Sequence, residues 1–231
     1  MAASFDCFIE KRSLKRPLLI IFAILLADQL LKIWIKTNMY LGQEFEIAPW
    51  FIIHFTENNG MAFGLEFGGN YGKLFLSVFR ILFVSGLGYY LWKLTKEKAS
   101  SYYITVIALV FAGAVGNIID SVFYGMLFSS SDFGTIATLF PTEGGYASIL
   151  YGKVVDMFYF PLFSGTFPEW LPIWGGEHFL FFRPVFNIAD ASITSGVIIW
   201  ILFQKKIYPE ENKTSTDEVE SPTDNSILEN N

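Results

Sequence analysis

The 231 residues are 52% hydrophobic and 18% aromatic, only 16% are charged, and the mean hydropathy is +0.41. A soluble domain carries about 25% charged residues, and here the apolar residues gather in runs of roughly 20, the length that crosses a bilayer. That composition argues against soluble enzymes, nucleic-acid binders and disulfide-stapled secreted domains. The net charge of -6 sits at the C-terminus, where residues 209–231 hold seven acids and one base and leave 15 of each in the rest.

Residues 1–17 are polar and basic and include Cys7, the only cysteine, which has no partner for an internal disulfide. The first predicted span, 18–35, follows Pro17. It holds Asp28 and Lys32 and lacks a small-residue cleavage site, so it reads as a retained span and not a removed signal peptide. The loop after it, 37–73, carries Phe45, Ile47, Trp50, Phe51, Ile52, Ile53 and Phe55, partly alternating with polar residues, which predicts a short strand or two ending in the turn Asn58-Asn59-Gly60. A second span covers 74–92 and contains Arg80, and a third covers 102–124. The loop 125–184 is long and rich in Gly, Ser, Phe and Trp, and its segment 167–174 suits the headgroup layer, where aromatic rings anchor. A fourth span, 186–207, leads into an acidic tail, 208–231, with little to bury, which reads as disordered.

The expected fold is therefore an all-α membrane protein: one domain over 18–207 with four transmembrane helices, a small extracytoplasmic β-containing region after the first, and a long extracytoplasmic loop after the third. Ten of the 16 lysines and arginines fall on the side shared by both termini and the loop between spans two and three. The excess of positive charge predicts that this side is cytoplasmic.

Ionisable groups inside spans each need a reason, because insertion costs about 2.5–3.5 kcal/mol at a helix centre. Asp28 and Lys32 are four apart on one helical face, spaced for an internal ion pair. Arg80 either snorkels outward or answers an inward-facing carboxylate. In Gly113-Ala114-Val115-Gly116-Asn117-Ile118-Ile119-Asp120 the glycines allow close helix approach, which leaves Asn117 and Asp120 unexplained on one face. Asp156 interrupts the apolar run Val154-Val155-Asp156-Met157-Phe158, and Asp190 lies four residues into the last span, three after Asn187. For Asn187 and Asp190 the structural reading is a helix cap and a first-turn acid. Two carboxylates meeting in a low-dielectric site cannot both ionise easily; one is pushed up, and the pair can share a proton and activate water for attack on a peptide carbonyl. His54 and His178 are isolated, with no zinc-like spacing.

Taken in order, these motifs resemble those of the lipoprotein signal peptidase family, signal peptidase II, which are bacterial membrane aspartyl proteases. Asp28-Gln29-Leu30-Leu31-Lys32 matches the family's D-Q-x-x-K. Asn58-Asn59-Gly60-Met61-Ala62-Phe63 is similar to its N-x-G-A-A-F, with Met61 in place of alanine. Gly116-Asn117-Ile118-Ile119-Asp120 resembles G-N-x-x-D-R, Val155-Asp156-Met157 resembles V-D-F, and Phe186-Asn187-Ile188-Ala189-Asp190 matches F-N-x-A-D. The resemblance implies that Asp156 and Asp190 are a catalytic dyad supported by Asp28, Lys32, Asn58, Gly60, Asn117, Asp120 and Asn187. It implies a substrate too, a prolipoprotein whose cysteine carries a diacylglyceryl group and which is cut on the amino side of that cysteine. It further implies no metal or organic cofactor, inhibition by globomycin, membrane lipids but no nucleic acid as partners, a monomer, and the bacterial cytoplasmic (inner) membrane with both termini inside. Ser121 departs from the pattern, standing where the family has arginine; Arg183 or Arg80 is the expected compensating cation. The loop 125–184 is longer than usual and is either a lid that selects substrates or an insertion that packs. The competing classes are a proton-coupled transporter, which the lack of an internal repeat disfavours, and a non-catalytic scaffold.

Overall fold

In the computed structural model, which describes residues 14–60, 69–181 and 184–204, the apolar runs become helices. Three are long and apolar enough to cross a membrane, Lys15–Asn38, Tyr71–Lys96 and Ser101–Leu127. Helix α1 (Lys15–Asn38) carries Pro17 in its first turn, where a missing N–H costs nothing. Its inner face buries Ile21, Asp28, Lys32, Ile35 and Lys36, while Leu19, Phe22, Leu26, Leu30 and Trp34 form an exposed apolar stripe suited to lipid. Helix α2 (Gly69–Lys96) packs along α3 (Ser101–Ile119). At Asp120 the backbone loosens into a π-helical turn, Asp120–Tyr124, before one last α-turn, α4 (Gly125–Leu127).

Among the described residues there are six strands, five from the two loops and one from the residues that lead into the last helix. Strands β1 (Glu44–Ala48) and β2 (Phe51–Asn58) form the anticipated hairpin, and β2 ends where the Asn58-Asn59-Gly60 turn begins. The sheet does not stop there. β3 (Val154–Tyr159), from the second loop, pairs antiparallel with β2 and sets Thr56 opposite Asp156 and Asn58 opposite Val154; β6 (Val185–Phe186) completes the order β1-β2-β3-β6. A separate hairpin, β4 (Phe163–Thr166) with β5 (His178–Phe181), stacks Phe163 on Phe181 at 4.5 Å between ring centroids. The expectation of strands only after the first helix was too narrow. The first four residues of β3 are buried on both faces, so its sequence lacks the alternation that betrays a strand.

The last helix, α5, runs Ile188–Leu202, and so begins two residues later than expected: Val185–Phe186 is spent on the sheet and Asn187 caps the helix in an extended conformation. Its 15 residues rise about 22 Å, short of the roughly 30 Å hydrocarbon core. The expected continuation to residue 207 passes outside the described residues, as do Cys7, Met61-Ala62-Phe63, Arg183 and the acidic tail. α5 lies tightly on α3 because glycines face it: a Cβ on Gly113 would meet the Ala189 carbonyl oxygen at 2.2 Å.

Two apolar clusters hold these elements. One, with Ile21, Leu91, Leu94, Ile104, Ala108 and Ala112, joins α1, α2 and α3. The other, with Ile35, Met39, Phe55, Tyr124, Phe128, Val155 and Met157, joins the C-terminal end of α1 to the sheet. Between these clusters the buried residues of α1 are Asp28 and Lys32, and those that follow α3 are Asp120 and Ser121.

Candidate active site

Lys32 is the hub of that polar layer. Its fully buried Nζ lies 2.9 Å from Asp28 Oδ2 and 2.8 Å from Asp120 Oδ2, and it donates to Asn117 Oδ1 at 2.9 Å, which occupies all three ammonium protons. Each carboxylate then reaches a further element. Asp28 Oδ1 accepts the Ala189 backbone N–H at 2.9 Å, tying down the first turn of α5. Asp120 Oδ2 accepts the Val155 N–H at 3.3 Å, tying down β3. Gln29, matched in the D-Q-x-x-K motif but not among the expected site residues, donates to Asp120 Oδ1 at 3.0 Å and accepts from Tyr124 Oη at 3.1 Å. The π-turn begins at Asp120 itself; such turns insert a residue into a helix and are frequent at functional sites.

The two elements held in this way carry Asp156 and Asp190. Asn187 joins them: its Nδ2 donates to Asp156 Oδ1 at 2.7 Å, and its backbone N–H donates to Asp190 Oδ2 at 3.3 Å. Asn117 Nδ2 donates to Asp190 Oδ1 at 2.8 Å, and Asn187 Nδ2 also reaches Asn117 Oδ1 at 3.1 Å. Asn187 Oδ1 in turn accepts the Asp190 N–H at 2.9 Å, so the pair forms a reciprocal capping box. The cap and the site are one device. Burial, then the neighbouring Asp190 charge, pushes the Asp156 carboxyl up to about 7, with Lys32 and Asn187 pulling the other way.

Ser121 is buried; its hydroxyl donates to the Asn117 carbonyl at 3.0 Å and its own carbonyl accepts the Gly152 N–H at 2.9 Å. Arg80 of α2 lies at the turn that follows β2. The Arg80 guanidinium donates to the Gly60 carbonyl and feels the charge of Asp190. Asn58 Oδ1 accepts the Gly60 N–H at 2.8 Å, closing the turn beside the site. Gly60 has φ +91° and a Cβ there would lie 2.6 Å from Arg80 Nη1, so only glycine fits. Gly60→Ala is expected to lower the thermal unfolding temperature in detergent, a loss of about 1–3 kcal/mol; an unchanged transition would show that the turn is not strained.

A second buried cluster lies one turn further along α1. Lys36 ion-pairs with Glu57 and donates to Ser131 Oγ at 2.7 Å, and Lys153 Nζ lies 3.2 Å from Glu57 Oε2. Burial raises the Glu57 carboxyl, but Lys36 and Lys153 outweigh it and hold the group below its ordinary range. The 28-32-36 spacing on one helical face was the available signal for this cluster. Among the described residues no group of three or more His, Cys, Asp or Glu is placed to hold a metal.

The chain is similar to known proteins over most of its length. The family described as signal peptidase (SPase) II matches residues 20–205. A lipoprotein signal peptidase of Porphyromonas gingivalis (strain ATCC 33277) is 53% identical over 184 residues, covering 79% of this chain and 80% of its own. One from Amoebophilus asiaticus is 38% identical over 207 residues, covering 87% and 82%. Among solved structures, a bacterial membrane enzyme determined in meso at 2.3 Å is similar with a TM-score of 0.56 and 26% identity, over 88% of this chain and 96% of that one.

Proposed function

Given that this multi-pass membrane protein belongs to the signal peptidase II family, we propose that it removes signal peptides from diacylglyceryl-modified prolipoproteins, cutting on the amino side of the lipidated cysteine with a water activated by Asp156 and Asp190. The family is one of proteases, which leaves the transporter and scaffold readings without support. The observation that carries the aspartyl mechanism is the unequal pair of carboxyls joined through Asn187. Asp156 is buried and holds its proton up to about pH 7, whereas Asp190 faces donors on both oxygens and the Arg80 charge.

Those surroundings divide the labour. The Asp190 carboxylate takes a proton from water as the oxygen adds to the scissile carbonyl carbon, and the Asp156 carboxylic acid gives its proton to the carbonyl oxygen. In the tetrahedral diol the C–N bond then breaks: Asp190 returns its proton to the leaving nitrogen, and Asp156 recovers one from a diol hydroxyl as the new carboxylic acid forms. Arg80 stands in for the cation that Ser121 does not supply, and Asn58 and Gly60 shape the rim where extended substrate enters. Both termini lie in the cytoplasm of a bacterium, and the protein acts as a monomer in its inner membrane, sensitive to globomycin.

The test is cleavage of a diacylglyceryl-modified prolipoprotein by purified protein in nanodiscs. A cut immediately before the lipidated cysteine is expected, with kcat/KM falling as pH rises through about 7, where Asp156 loses its proton. No cleavage in a membrane environment overturns the reading. Arg80→Gln is expected to lower kcat about 10–100-fold, an effect that Arg80→Lys partly reverses; full activity in Arg80→Gln removes Arg80 from the mechanism.

A further inference from the structure

The hairpin of β4 and β5 is too small to bury its own apolar face. Its register sets Phe163 opposite Phe181 and Gly165 opposite Phe179, so one face carries the three phenylalanines, while Ser164, Thr166 and His178 alternate onto the other. Gly165 makes room for the Phe179 ring, which a Cβ there would meet at 2.9 Å, and Phe179 lies against Phe167 with ring centroids 4.7 Å apart. The tip closes on itself. The Phe167 N–H donates to the Glu177 carbonyl at 2.9 Å, the Gly176 N–H to the Phe167 carbonyl at 3.0 Å, and the Gly175 N–H to the Leu171 carbonyl at 3.0 Å. On this hydrogen-bonded backbone Trp170 is 78% exposed and Ile173 86%, and Trp174, Leu162, Phe163 and Phe181 are exposed with them. Ile173 has φ +80°, a left-handed conformation that a β-branched residue adopts only at a cost. A two-stranded hairpin is marginal in water unless something packs on it, and an apolar patch of this kind marks a surface that meets a partner.

Its place in the chain says what the partner is. Residues 162–181 hold two acids, Glu169 and Glu177, and no lysine or arginine. The hairpin leaves the sheet after β3 and returns through β6 to Ile188, where the apolar helix α5 begins against α3. Ile188 is seven residues after Phe181, at most about 25 Å of chain, so the hairpin stands close to where α5 enters the bilayer. At the hairpin's base Phe160 stacks on Trp50, which adds a further exposed indole from the turn between β1 and β2. Indoles with few charges, on a short tether from a membrane helix, are the composition of a membrane–water interface.

We propose that the tip of this hairpin, with Trp170, Ile173 and Trp174, is a membrane anchor that seats in the lipid headgroup layer beside α5. The hairpin is inserted between β3, which carries Asp156, and β6, which runs into Asn187. The seated tip therefore holds at the bilayer surface the two strands that lead to the dyad. Seating needs no substrate, so it stands or falls apart from the peptidase reading.

The test places the full chain in phosphatidylcholine nanodiscs and compares tryptophan emission between wild type and Trp170→Phe/Trp174→Phe; the difference isolates the two tip indoles. Lipids brominated high in the acyl chain, at the depth of about 5–10 Å that interfacial apolar groups reach, are expected to quench most of that difference emission, and iodide in the water little of it. A nitrobenzoxadiazole label on Ile173→Cys, in a chain carrying Cys7→Ser, is expected to behave in the same way, which guards against an effect of the double variant on the fold. Quenching by iodide and not by bromolipid puts the tip in water and overturns the anchor. Protection from both quenchers overturns it as well, and assigns the tip to a protein surface.

Discussion

Asp156→Asn and Asp190→Asn are each expected to reduce prolipoprotein cleavage by a factor of about 10³ or more, because each removes a proton carrier that the reaction needs. Their stabilities are expected to move in opposite directions, which separates loss of chemistry from loss of fold. The Asp156 carboxyl titrates near 3.8 in an unfolded chain and near 7 in the folded one. Its contribution to stability is therefore complete below about pH 3.8 and is lost as pH rises through about 7. Above that, a buried negative charge is being held against its preference. Asparagine keeps an oxygen for Asn187 Nδ2 and carries no charge, so Asp156→Asn is expected to unfold at a higher temperature than wild type at pH 8, by about 2 kcal/mol, and at nearly the same temperature at pH 4. Asp190→Asn loses half of the reciprocal cap, so it is expected to melt lower. Either variant cleaving at the wild-type rate would sink the two-aspartate mechanism. A pH-independent Asp156→Asn difference would sink the assignment of Asp156 as the protonated partner.

The parts of this site that were legible in the sequence were charges where a membrane forbids them. Asp28 and Lys32 stood out because an apolar helix tolerates neither alone, and four-residue spacing made them partners. Asn187 and Asp190 were readable both as a cap and as a site; the structure shows the cap, and the same Asn187 side chain also bonds Asp156. The third member of the Lys32 cluster, Asp120, was placed on the right face of α3, but nothing in its spacing announced the π-turn that begins with it. A π-turn arises from backbone hydrogen bonding and leaves no composition signal. β3 was missed for a related reason: burial on both faces erases alternation, so Asp156 looked like an acid in an apolar run and not a strand residue opposite Thr56. Glu57 was hidden beside the more conspicuous Asn58, and its partners Lys36 and Lys153 are 21 and 96 residues away, so only the fold brings them together.

Lys32→Met is expected to produce the largest loss of stability of any single change, about 3–5 kcal/mol, because it leaves two buried carboxylates facing each other with no cation between them. The damage spreads along a defined route. Asp28 holds the first turn of α5 through Ala189, and Asp120 holds β3 through Val155; repulsion that displaces either carboxylate releases an element bearing one member of the dyad. Cleavage and unfolding temperature should therefore fall together. Lys32→Arg does not substitute, since a planar guanidinium cannot point three donors at Asp28, Asp120 and Asn117 as an ammonium does. The decisive companion is the neutral triple variant, Lys32→Met with Asp28→Asn and Asp120→Asn. It removes every charge of the cluster and keeps an oxygen for each backbone N–H, so the unfolding temperature is expected to recover most of the loss. Activity should return only in part, and with an altered pH profile. Lys32 draws the Asp156 carboxyl downward and Asp120 pushes it upward, the lysine more strongly. With both gone, the high-pH limb of cleavage moves to higher pH. A triple variant as unstable as Lys32→Met would mean that the cluster holds the fold by shape and not by charge balance, and an unshifted limb would mean that Asp156 does not feel Lys32.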